Sequence, residues 1–111
     1  MTDLTPDKTQ ALREFIAVEV CELVRGESDY HWFDKDGFRV LDGTPWDPLT
    51  NHEQCHRALD TFEEWEAFKD FDHHVWINPW PDIDEVTWKA SDPSFCLAAC
   101  IAMARARGME I

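Results

Sequence analysis

His52, Cys55 and His56 crowd into one short stretch, PWDPLTNHEQCHRAL, spanning residues 45–59. These are metal-binding residue types. Two histidines four apart share one face of a helix and can chelate a transition metal. A structural zinc ion asks for four ligands, and a catalytic one for three with an open position. Cys55 precedes His56 by one residue, so on a helix it points about 100° away from it, toward the apolar side. Glu53 stands at the second position, as in zincin helices, but no third ligand is identifiable nearby. His73 and His74 are adjacent, and on a strand they point to opposite sides; folding could bring one of them to the pair. Cys96 and Cys100 are also four apart and would face the same way on a helix. Their alanine neighbours favour burial, the alternative being a thiol pair with redox or metal character.

Other catalytic signatures are missing. The four glycines, Gly26, Gly37, Gly43 and Gly108, are too scattered to form a phosphate-cradling loop. No nucleophile elbow is present. The carboxylates occur in solvated runs, where they stay ionised rather than tuned. The expectation is a protein that is not an enzyme and holds neither metal nor cofactor. The alternative is a metal-binding protein or small hydrolase using His52 and His56.

A second set of residues suits recognition rather than catalysis. Between Asp60 and Glu85 stand Asp60, Glu63, Glu64, Glu66, Asp70, Asp72, Asp82, Asp84 and Glu85, against Lys69 alone. Trp65, Phe68, Phe71, Trp76 and Trp80 are interleaved with them. They read either as core aromatics beneath a solvated face or as anchors ringed by charge and aimed at a basic partner. On the second reading the contact residues are Glu63, Glu64, Glu66, Asp70, Asp82, Asp84 and Glu85. Trp80 is then the exposed anchor on its proline-flanked turn.

The whole chain agrees with an acidic binding module. At 111 residues it has the size of one domain, and six Trp and seven Phe supply a core. Its net charge of −13 argues against direct contact with nucleic acid, which requires a basic face, and against anionic membranes. A partner selected by this charge is basic; otherwise the acidity serves solubility. With no secretion signal apparent at the N-terminus, the four cysteines are expected as free thiols and the protein as cytoplasmic.

The elements that must position these residues follow from periodicity. Thr5, Pro6 and Asp7 open a helix whose apolar stripe is Leu12, Phe15, Ile16, Val20, Leu23 and Val24, with an end near Gly26. Ala11 and Val18 lie off the stripe, on a side that could be partly covered. Tyr30–Phe33 and Phe38–Leu41 flank an Asp-Lys-Asp-Gly turn and predict a β-hairpin. Thr50 or Asn51 caps a second helix, with Glu53 placed for a capping box with Thr50. Cys55, Leu59 and Phe62 form its apolar side, and Asp60, Glu63, Glu64 and Glu66 its opposite side. His73–Ile77 and Ile83–Ala90 predict two strands joined by an Asn-Pro-Trp-Pro-Asp turn. Asp92 and Pro93 open a last, alanine-rich helix that stops at Gly108. The sum is a single α+β domain over residues 1–111, a layered sandwich of about three helices and an antiparallel sheet of about four strands.

Trp46, Pro48 and Leu49 ahead of the second helix, with Phe95 to Ala106 after a strand pair, resemble the phage α/β/α sandwich domain family. The resemblance covers roughly the last two thirds of the chain. The long first helix departs from the pattern, as does the lack of a basic residue soon after Cys96. It implies a layered fold and a phage or prophage setting, with no established activity and no catalytic residues to carry over. In that setting, an acidic and aromatic surface would suit binding a host or phage protein, as a nucleic-acid mimic or an inhibitor of host defence.

Overall fold

The computed structural model describes residues 4–26, 32–34, 36–37, 45–78 and 88–111. Its class is α+β, with three α-helices and antiparallel strands among the described residues. Helix α1 spans Pro6–Phe15 and continues into a π-helical turn, Ile16–Val20. Short strands β1 (Val24–Arg25) and β2 (Trp32–Phe33) pair with each other. Helix α2 is His52–Leu59, followed by β3 (Glu64–Lys69), β4 (His73–Asn78) and β5 (Trp88–Asp92) in one antiparallel sheet of that order. Helix α3, Phe95–Ala106, completes the chain order. The described strands thus divide between a pair and a three-stranded sheet rather than forming one sheet of about four. The Phe38–Leu41 arm of the expected hairpin lies outside the described residues, and the pairing described for Trp32–Phe33 is with Val24–Arg25.

Helix α3 is the middle layer. It packs on β4 and β5 on one side and on α1, the π turn and α2 on the other. That double burden explains its composition: Ala98, Ala99, Ala102 and Ala104 are fully buried, so both neighbouring layers approach closely. Ile101 and Met103 fill the remaining space. The sheet contributes Val75, Ile77 and Ala90, all from one side of the pleat. Burying a side chain such as Ile77 is worth about 1.5–3 kcal/mol. No helix among the described residues is long and apolar enough to cross a membrane.

Several boundaries differ from the periodic reading, each for a local reason. Thr5 does cap α1, its hydroxyl accepting the Lys8 N–H at 3.2 Å. The first helical segment stops at Val20, not near Gly26, because Glu22 takes φ 55°, the left-handed conformation usual just past a helix end. Leu23 still turns inward, but Val24 is on an exposed strand, as Ala11 and Val18 are on an exposed helix side. Asn51, not Thr50, caps α2, accepting the Gln54 N–H at 3.0 Å. Thr50 instead donates to Asp47 Oδ2 at 2.6 Å, so the capping box with Glu53 does not form. Helix α2 ends at Leu59, with Thr61 Oγ1 donating to the Ala58 carbonyl at 2.7 Å. Glu64 and Glu66 are therefore strand residues, and Glu63 precedes them in a bend. At the last helix Ser94 is the cap, while Asp92 closes β5 and accepts the Ser94 N–H at 2.9 Å. Gly108, at φ 101°, follows the end of α3.

Candidate functional site

The stretch that opens α2 is held by polar side chains whose work is structural. Gln54 is buried; its Oε1 accepts the Asp47 N–H at 2.6 Å and its Nε2 donates to the Pro45 carbonyl at 3.1 Å. Trp46 donates from Nε1 to the Arg13 carbonyl at 2.9 Å, and Arg13 Nε donates to Asp47 Oδ1 at 3.0 Å. These bonds tie the loop to α1 and to α2 at once.

The histidines of that helix face an aromatic ring. His52, Glu53 and His56 are exposed, and the five residues His52–His56 satisfy the His-Glu-x-x-His spacing of zinc metalloproteases in full. The Phe95 ring stacks near both imidazoles, with centroids 6.0 Å from His52 and 5.5 Å from His56. His73 reaches the same ring edge-on at 5.8 Å, and Trp65 meets His56 at 6.0 Å. Folding therefore gathers His52, His56 and His73 around Phe95. Among the described residues, no group of three or more His, Cys, Asp or Glu side chains is placed to hold a metal ion.

The thiols are free, and three are buried where α2 meets α3. Cys55 is acidified by hydrogen bonds from Cys100 and then Cys96, against the effect of its own burial. Desolvation raises Cys96 to about 12 and holds Cys100 well above the usual thiol value. Cys21 is also raised to about 12, again mainly by burial. The raised groups, Cys21, Cys96 and Cys100, are held as thiols, the unreactive form, and Cys55 is shielded by burial alone.

The outer side of the three-stranded sheet is different. Glu64, Glu66 and Phe68 of β3 lie across from Asn78, Trp76 and His74 of β4, all on the side opposite Val75 and Ile77. Phe68 is 51% exposed. Its ring stacks with His74 at 4.7 Å and with Trp76 at 5.0 Å, the planes within 21° and 18° of parallel. A hollow of about 480 Å³ is lined by Glu64, Glu66, Phe68, Trp76 and Asn78, together with Trp65 at the strand edge. His74 is anchored: Nε2 lies 2.8 Å from Asp70 Oδ1 and Nδ1 2.6 Å from Ser91 Oγ. The imidazole, and next the Asp72 amide, hold the Asp70 carboxyl below its ordinary value. At the tip of the β3–β4 turn, Phe71 is fully exposed between Asp70 and Asp72.

The sequence-derived contact residues therefore separate. Glu64 and Glu66 line the hollow beside the aromatic stack, Asp70 bonds His74 within it, and Glu63 lies in the bend ahead of β3. Trp80, Asp82, Asp84 and Glu85 lie outside the described residues. Phe68, Phe71 and Trp88 are the exposed aromatics among the described residues instead, and Trp76 is half-buried beside Phe68. The Glu-Trp-Glu-Ala alternation of β3 and the Asp-Phe-Asp turn are the signals for the first two.

No protein-family model matches the chain, and no curated protein matches it either. A crystal structure of a phage protein from Bacillus cereus is similar in fold, with a TM-score of 0.70 at 13% identity, covering 100% of this chain and 97% of that one.

Proposed function

We propose that the chain is a small phage or prophage accessory protein, without catalysis of its own, that binds a basic host or phage protein in the host cytoplasm. The observation that carries this reading is the outward Phe68–His74–Trp76 stack, with Phe68 exposed and the other two rings half-buried, beside Glu64, Glu66 and Asp70. A soluble sheet usually turns polar residues to water, and a cluster of exposed aromatics marks a contact surface. Carboxylates around it select positive charge and repel nucleic acid. The phage setting is supported by the fold shared with the Bacillus cereus phage protein. On this reading the carboxylates stand where phosphates would, so the protein can occupy a nucleic-acid-binding groove as a mimic and inhibit host defence.

Pull-down from host lysate tests it, comparing wild type with a Glu64→Lys/Glu66→Lys variant and identifying captured proteins by mass spectrometry. A basic protein should be held by wild type, released as salt rises because exposed charges are screened, and lost by the variant. Equal capture by both proteins, or no capture by wild type at low salt, would overturn the reading.

A further inference from the structure

Resting on that reading, we infer how the partner is held: a basic, extended segment of it adds as a fourth strand along the free edge of β3. Strand β3 is an outer strand of its sheet among the described residues, and Glu64, Glu66, Ala67, Phe68 and Lys69 are all exposed. An uncovered edge offers unpaired backbone groups that template an added strand. Hollows lie on both sides of this edge. Besides the one of about 480 Å³ on the outer side, a second of about 550 Å³ reaches around the strand to His56, Ala67 and Phe95. Trp65, Glu66, Phe68 and Trp76 line both. A strand laid between them would send alternate side chains into each.

Charge chooses the occupant. Glu63, Glu64 and Glu66 stand at or beside the edge, and Lys69 is the one cation of β3 itself. A second copy of this chain, paired so that the two sheets are continuous, would set Glu66 against Glu66 in the register centred there, and Glu64 against Asp70 in the one centred on Ala67. Facing like charges destabilise a pair, and each copy carries a net charge of −13. A segment alternating Arg or Lys with apolar residues meets no such penalty. Its cations would reach Glu64 and Glu66 with their stems across Phe68 and Trp76, where cation–π attraction adds to the ion pairs. Its apolar side chains would enter the hollow beside Trp65 and Phe95.

Fluorescence anisotropy with labelled synthetic peptides tests strand addition separately from the charged surface. The probe is the alternating peptide RVRVRV, compared with its block isomer RRRVVV and with two versions of the probe N-methylated on alternate amides. The alternating peptide should bind at least about tenfold more tightly than the block isomer, and Glu66→Lys should lose a similar factor. One N-methylated version should lose about tenfold, because only one set of amides faces β3, while the other binds nearly as the parent does. Equal binding by the isomer, or equal behaviour of the two methylated versions, would overturn strand addition and leave the acidic surface standing. Failure of every peptide to bind, while wild type still captures its partner from lysate, would overturn it too.

Discussion

The two faces of the β3–β4–β5 sheet are built from the same short strands, yet they obey opposite rules. Under α3, Val75 and Ile77 are wholly buried and alternate with outward residues in the usual way. On the outer face those outward residues are His74 and Trp76, stacked on an exposed Phe68, where polar residues would suffice for solubility. The inner face is explained by stability alone. The outer face is not, because a half-exposed ring such as Phe68 contributes less to folding than a buried one. The difference separates residues that make the fold from residues that use it.

Substitutions can break that contrast directly. The largest expected effect is on the inner face. Ile77→Ala should cost about 2–5 kcal/mol, since it opens a cavity against α3, and should lower the melting temperature by about 10–25 °C. Calorimetry or circular dichroism checks this. A shift under about 3 °C would mean that the α3–sheet contact is not the core.

Next comes the loop ahead of α2. Gln54→Ala strands the Asp47 N–H and the Pro45 carbonyl, each now satisfied by the buried amide. About 2–3 kcal/mol should be lost, the cost of leaving buried polar groups unpaired. His52→Ala/His56→Ala, on the exposed side of the same helix, should change stability far less, within about 1 kcal/mol. Elemental analysis of untagged protein belongs with this pair. We expect no stoichiometric zinc, and one equivalent that disappears in the double variant would establish a metal site there.

The thiols give a kinetic version of the same contrast. Cys55, Cys96 and Cys100 should resist alkylation at pH 8 until the chain opens, so labelling should follow unfolding rather than reagent concentration. Mass spectrometry showing rapid labelling of any of the three in folded protein would place that thiol at the surface.

The smallest effect is electrostatic. The Asp70 carboxyl is depressed by His74, so it favours the folded state above its unfolded value, about pH 4, and loses that advantage as the pH falls through its folded value. Asp70→Asn should therefore melt slightly below wild type near neutrality, and the two curves should converge as the pH falls below the unfolded carboxyl value. A gap that widens on acidification would contradict the assignment.

Much of this is legible in the sequence, and the departures have a physical pattern. The α+β class, the Thr5 cap, the His73 strand and the alanine-rich last helix all follow from local periodicity. Periodicity also carries the second helix too far, because Phe62 continues the step of Cys55 and Leu59 although the chain has already left the helix at Asp60. That extension masks the alternation of β3, and with it the pairing of Glu66 with Trp76 and Phe68 with His74. Gln54 and Asp47 carry no periodic signal, because their value lies in partners distant along the chain or in the loop. The histidines stand out for a spacing that folding turns toward Phe95.

The central claim is that the outer face of the sheet serves recognition and not folding. It is tested most directly by Phe68→Ala/Trp76→Ala, measured for both melting temperature and capture of the basic partner from lysate. Removing these outward stacked rings should cost about 1–2 kcal/mol and lower the melting temperature by no more than about 10 °C. Capture should be lost at every salt concentration. Undiminished capture by the folded variant would contradict the account, as would a collapse in stability as large as that of Ile77→Ala.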